Sequence, residues 1–265
     1  MIGWNGKTAL VTGASSGIGE AFAVALAGKK VNLVLVARSA DKLEKLAADL
    51  RAAHGIQVMV VRQDLGQPGA AAEVFTKTQA ASVTVDVLIN NAGFGKWGEF
   101  LEFPPEVYSE MIALNVSAVV ELTQAYLPGM LERRGIGVIH VGSTASLVPV
   151  PYAAIYAATK AFVLSFSEGL AGEYADRGVR VMTLCPGGTD TNFAAVANAS
   201  VKVPEAGRET PTTVVDNALR AFESGQTYVV SGVSNYLTAG VLPRFLTRGA
   251  VLRLAARMWK RTLGR

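Results

Sequence analysis

The sequence holds one cysteine, Cys185, and two histidines, His54 and His140. A lone cysteine excludes an internal disulfide framework and suits a reducing compartment. The histidines are not clustered, and His140 lies within a β-branched run, so no metal site is expected. No uninterrupted apolar run is long enough to cross a bilayer. The opening Met1–Lys7 has no basic stretch leading into an apolar core, so no secretory leader is expected. Charge is sparse at 17%, but half the residues are apolar, so a 265-residue chain can bury one full-sized core rather than stay disordered. The expectation is a soluble, cytoplasmic protein.

Acid is missing from residues 244–265, which carry Arg244, Arg248, Arg253, Arg257, Lys260, Arg261 and Arg265. Those seven come out of 25 basic residues, and the remaining 18 face 21 acidic ones, so the body is mildly acidic despite the net charge of +4. One basic stripe on an acidic body does not suit a nucleic-acid partner. Within 248–263, Val251, Leu254, Ala255, Met258 and Thr262 oppose Arg253, Arg257, Lys260 and Arg261, with Leu252 and Trp259 flanking. This reads as a basic amphipathic helix. It can pack on the body or a neighbouring subunit, or lie on an anionic membrane surface as a peripheral contact. The chain is accordingly divided into one domain over 1–243 and this helix over 244–265.

Seven β-branched runs recur: Thr8–Thr12, Val31–Ala37, Gln57–Arg62, Asp86–Asn90, Gly137–Val141, Val179–Leu184 and Thr227–Val230. They are continuously apolar, as parallel strands buried on both faces should be. Segments with helical spacing lie between them, among them Ser39–Arg51, Pro105–Glu132 and Tyr152–Tyr174. The pattern predicts an α/β fold of Rossmann type: a doubly wound, mainly parallel seven-stranded sheet with helices on both faces. Ligands of such sheets bind at the carboxyl ends of the strands. Thr189–Glu209, rich in Ala, Asn and Ser, is expected to be a mobile lid over that end.

The first run leads into Gly13-Ala14-Ser15-Ser16-Gly17-Ile18-Gly19, after which a helix begins. Glycines let a backbone turn sharply and approach a pyrophosphate, and a helix N-terminus supplies N–H donors. The spacing departs from the general dinucleotide fingerprint, so alone the loop could be only a tight connection. A carboxylate after the second run would hold the ribose hydroxyl of NAD. Ala37-Arg38-Ser39 stands there instead, and a guanidinium beside a hydroxyl suits the extra phosphate of NADP. NADP(H) is therefore expected in preference to NAD(H). Tyr156 and Lys160 are four residues apart in a helical stretch, on one face, where an ammonium should lower the phenol's pKa. Ser143 follows the fifth run, where its hydroxyl can bond a substrate oxygen.

These pieces stand in order with Asp64, Asn90-Asn91-Ala92-Gly93, Asn115 and Pro186-Gly187 with Thr191. Together they resemble the short-chain dehydrogenase/reductase family, in its compact single-domain branch, along nearly the whole chain. The resemblance implies that Tyr156 exchanges a proton with the substrate oxygen, Ser143 polarises that oxygen, Lys160 tunes Tyr156 and binds the nicotinamide ribose, and Asn115 orders a water beside Lys160. It implies cofactor contacts at Gly13, Ser15, Ser16, Gly17, Ile18, Gly19, Arg38, Ser39, Asp64, Leu65, Asn91, Ala92, Gly93, Tyr156, Lys160, Pro186, Gly187, Thr189 and Thr191. It also implies a homodimer or homotetramer, which small residues on the Tyr156 helix (Ala153, Ala157, Ala161) would suit.

The expected substrate pocket is lined by Phe94, Trp97, Leu147, Tyr152 and Phe193, largely apolar, with Lys96 the nearest cation. The function implied is an NADP(H)-dependent oxidoreductase for a hydrophobic ketone or aldehyde, or for the matching alcohol. The alternatives are a dehydrogenase working oxidatively, and a non-catalytic dinucleotide sensor or scaffold. Cys185, beside Pro186, reads as a small core residue.

Overall fold

The computed structural model describes residues 2–191, 193, 197 and 208–262. Seven strands form one sheet: β1 (Thr8–Thr12), β2 (Asn32–Ala37), β3 (Val58–Arg62), β4 (Val87–Asn90), β5 (Gly137–Val141), β6 (Arg180–Cys185) and β7 (Tyr228–Val230). The order is β3-β2-β1-β4-β5-β6-β7, and every pairing is parallel. The expected strands are all present. Five begin one residue later than their apolar runs, because the leading residue of each run precedes the first ladder pairing.

Strand residues alternate between two cores, following the period of two in a pleated strand. Ala9, Val11, Leu33 and Leu35 face one side. They meet helices α1 (Gly17–Gly28), α2 (Ala40–His54) and α7 (Pro211–Glu223). Leu10, Val34 and Val36 face the other, with α3 (Ala70–Ala80) and α5 (Ala118–Arg133). The order reverses between β1 and β4, so a crevice opens at the carboxyl ends of those two strands.

Three elements depart from expectation. The run 105–132 is not one helix but α4 (Pro105–Ile112), a π-helical turn (Ala113–Ser117) and α5. Asn115 occupies the turn. Tyr152 is not helical: it stands before α6 (Ala154–Glu173) with φ +67°. Of the three small residues expected to suit subunit packing, Ala153 and Ala157 are buried within the protomer, because α6 uses them to seat on its own site; only Ala161 is exposed.

Helix α8 (Arg248–Thr262) has no fully buried residue and reaches the body through Trp259, which packs against the cluster around Tyr156. The loop 189–209 falls mostly outside the described residues. Of its described parts, Thr189 pairs with Glu209 and the Ala197 carbonyl accepts from Trp97 N–H. No helix among the described residues is long and apolar enough to cross a membrane.

Candidate active site

The crevice begins at Thr12, the last residue of β1. Its hydroxyl donates to the Ile89 carbonyl and accepts from the N–H groups of Asn91 and Ala92, both at 2.9 Å. The Asn91 side chain returns a bond to the Thr12 carbonyl at 2.8 Å. One buried hydroxyl thus staples β1 to the end of β4. In the sequence Thr12 only ends the first strand and opens the glycine stretch, and nothing local assigns it this bond.

The loop that follows is folded tightly on itself. Gly13 has φ +65°, and a Cβ there would lie 2.7 Å from Asn91 Nδ2. A Cβ on Gly19 would collide with the Gly13 carbonyl. Ser16 caps α1 without a side-chain bond, so the first N–H groups of that helix face the crevice without a side-chain acceptor. Bare amides at a helix N-terminus beside a cradle that side chains would fill suit a pyrophosphate. The residues present therefore fit the dinucleotide.

Arg38 and Ser39 are exposed just past β2, the neighbour of β1. Asp64 turns its carboxylate back to accept from Gly66 N–H at 3.1 Å. Leu65 is buried in the core, and Ile18 and Ala92 pack against the cores beneath the loop. Such residues can meet a ligand mainly through backbone. At the opposite wall the Pro186 carbonyl accepts from Thr144 N–H, a Cβ on Gly187 would strike Asn235, and Thr191 lies 3.0 Å from where a Gly17 Cβ would be.

Tyr156, Ser143, Lys160 and Asn115 converge below. The Ser143 hydroxyl caps a short turn, accepting from Ala145 N–H at 3.1 Å, and stands near enough to the Tyr156 phenol to favour its ionised form. Lys160 Nζ donates to the Val141 carbonyl at 2.7 Å, which ties α6 to the end of β5. Asn115 Oδ1 accepts from Phe94 N–H, while its Nδ2 donates to the Phe94 carbonyl and to Thr159 Oγ1. Gly93 sits where Asn115 and Lys160 meet: a Cβ there would lie 2.9 Å from Asn115 Oδ1 and 3.4 Å from Lys160 Nζ.

Electrostatics here is governed by burial. Tyr156 is 7% exposed, and its phenol is pushed up to about 12, with the Ser143 hydroxyl pulling the other way. The lowering expected from Lys160 is not found: burial dominates and the counter-pull comes from Ser143, while Lys160 Nζ is turned to the Val141 carbonyl. Burial also lowers Lys160 to about 8. Cys185 is raised to about 12 by burial, so it stays a thiol, in keeping with a core residue.

Above Tyr156 stands an aromatic box. The Trp97 ring lies 5.2 Å from Tyr156, 6.0 Å from Phe193 and 6.2 Å from Trp259 of α8, and Tyr156 and Phe193 are 5.7 Å apart. Phe94, Val148 and Val150 pack into the same cluster. Leu147 does not: it ends the Ser143 turn outside the cluster, because the turn directs Val148 and Val150 inward instead. A cavity of about 60 Å³ opens beside Tyr156, lined by Lys96, Tyr108, Met111 and Tyr152 among others. Trp259 appeared in the sequence only as a flank of the amphipathic stripe; nothing local could place it 6.2 Å from Trp97.

Comparison with known proteins settles the family. A model of the short chain dehydrogenases matches residues 7–202. This chain belongs to the short-chain dehydrogenase/reductase family. Within it, the chain is 32% identical to human very-long-chain 3-oxoacyl-CoA reductase, an alignment covering 81% of this chain and 68% of that protein. The solved short-chain dehydrogenase of Sphingobium yanoikuyae, in complex with NADPH, superposes with a TM-score of 0.82 at 32% identity, covering 94% and 95% of the two chains. A family member from Burkholderia phymatum, in complex with NAD, superposes at 0.80 with 26% identity, covering 90% and 93%. The chain is thus an oxidoreductase of this family, with a fold that holds a nicotinamide dinucleotide.

Proposed function

We propose that this oxidoreductase uses NADP(H) to reduce a hydrophobic ketone or aldehyde, or to oxidise the matching alcohol, with Tyr156 as the proton donor. The observation that carries the reading is the buried phenol itself. With its phenol raised to about 12 by burial, Tyr156 is fully protonated at neutral pH. That is the form a carbonyl reduction needs, and the oxidative direction would start from the phenolate. When bound, the cofactor supplies or accepts the hydride. Ser143 and Tyr156 together hold the substrate oxygen, and Tyr156 passes it a proton. Lys160 lies beside Tyr156, its Nζ held by the Val141 carbonyl, in place to meet a ribose hydroxyl. Asn115 acts as a positioning residue that ties the Gly93 loop to α6 through Phe94 and Thr159.

The preference for NADP rests on Ala37-Arg38-Ser39, which offers a fixed cation and no carboxylate at the end of β2. Solved relatives hold either NADPH or NAD, so this local chemistry has to carry the choice. The substrate class rests on the box of Trp97, Phe193 and Trp259 around Tyr156, and the human relative's name, a reductase of very-long-chain oxoacyl compounds, agrees with an apolar chain. A homodimer or homotetramer belongs to the same reading; Phe162, exposed on α6 and stacked on Phe166, offers an apolar face for it.

The test is NADPH consumption over a panel of apolar ketones and aldehydes. Tyr156→Phe should lower kcat on the best substrate by about 10²–10⁴-fold. Near-normal turnover by that variant would exclude the phenol as donor and sink the mechanism.

A further inference from the structure

The chain after Glu223 contains no Asp or Glu, although it holds seven Arg and Lys residues from Arg244 onward. The same stretch gathers most of the exposed large apolar side chains among the described residues, including Leu237, Leu242, Phe245, Leu252, Leu254 and Met258. Cation and apolar surface are therefore concentrated in one C-terminal segment of an otherwise mildly acidic protein.

Helix α8 divides this surface in two. Val251, Ala255 and Trp259 lie half-buried on one side, with Trp259 against Trp97. Arg253, Arg257, Lys260 and Arg261 face solvent, and alongside them stand Leu254 and Met258, one turn apart and 52% and 56% exposed. Packing on the body explains the first side only. Just before the helix, Phe245 is 81% exposed. A helix that needs only a solvated outer face has no use for an apolar pair there.

We propose that this segment docks on a lipid bilayer that carries anionic headgroups. Phe245, Leu254 and Met258 enter the headgroup boundary, and the four basic side chains of α8 meet the lipid phosphates. Charge complementarity selects this occupant. A symmetric contact with a second copy would set the same basic residues against one another. Because α8 also walls the aromatic box through Trp259, docking brings the box beside the bilayer, and an apolar carbonyl compound dissolved in lipid is then its nearest substrate. This last step rests on the proposed reductase function; the docking does not.

The experiment is co-sedimentation of the full chain with vesicles of phosphatidylcholine alone and of phosphatidylcholine with phosphatidylserine. Binding is expected only with phosphatidylserine, with release as salt is raised. The double variants R253E/R257E and L254E/M258E should each weaken binding by about tenfold or more, while keeping the native circular dichroism and NADPH consumption with a soluble ketone. Should one variant unfold, the other and the salt series decide. Equal binding to both vesicle types, no binding at low salt, or binding untouched by the folded variants would overturn the proposal. So would light scattering in which L254E/M258E dissociates an oligomer that ignores vesicles. A protein that binds phosphatidylserine vesicles but reduces no carbonyl leaves the docking standing and rejects the enzymatic reading alone.

Discussion

A single buried histidine shows how strongly burial rules this molecule. His140, within β5, is held between Ser167 at Nδ1 and Thr123 at Nε2, and burial drives it down to about 3, helped by the charge of Lys160. Its folded value lies below the ordinary 6.5, so between pH 3 and pH 6.5 the unfolded chain binds a proton that the folded chain refuses. Stability should therefore be level above pH 6.5 and fall as pH drops through it. The slope from this group approaches about 1.4 kcal/mol per pH unit. Urea unfolding between about pH 6.5 and pH 5, above the range where most carboxylates titrate, reads it directly. A folded His140→Gln variant should lose most of that slope, and an unchanged slope would assign it to other groups. The same desolvation reverses the simple expectation for Tyr156 and Lys160. Their spacing was legible in the sequence, but their burial was not, because it depends on Val141, Cys185 and the box above them.

At the scale of elements, the glycine loop and the Tyr156 helix could be read from local sequence, because each is a contiguous pattern. The break at Asn115 could not, since the apolar period runs unbroken through 105–132 while the π-helical turn is set by bonds to Phe94 and Thr159. Helix α8 is the clearest divided case. Its amphipathic character was plain, but the stripe is only half seated, and Leu254 and Met258 remain outside. Its seated half gives an element-level prediction. Trp259→Ala removes one wall of the box and should raise KM for apolar ketones by about tenfold, the equivalent of one lost aromatic contact, with NADPH affinity unchanged. Steady-state kinetics with both ligands varied separates the two, and a KM that does not move would place substrate away from α8.

For the whole molecule, the cofactor crevice joins the ends of β1, β2, β4, β5 and β6, so a ligand there should brace the entire sheet. NADPH at about 100 times its Kd should add about 2.7 kcal/mol, or roughly 5–10 °C in Tm for a domain of this size. NADH at the same concentration should add less, and Arg38→Asp should narrow or invert the difference. Differential scanning fluorimetry measures this without turnover. Equal shifts from both dinucleotides in the unaltered protein would remove the basis for an NADP preference.

The sequence alone determined the alternation of strands and helices, the glycine turn, the order of Asn115, Ser143, Tyr156 and Lys160, and the charge of the C-terminal segment. These are local properties, set by side-chain period, backbone freedom and residue type. Only the tertiary structure decided that Thr12 staples β1 to β4, that desolvation sets the protonation of Tyr156 and Lys160, and that Trp259 closes the box from a distant helix. Each of these depends on groups far apart in the chain being packed together out of water, and no local pattern encodes that packing.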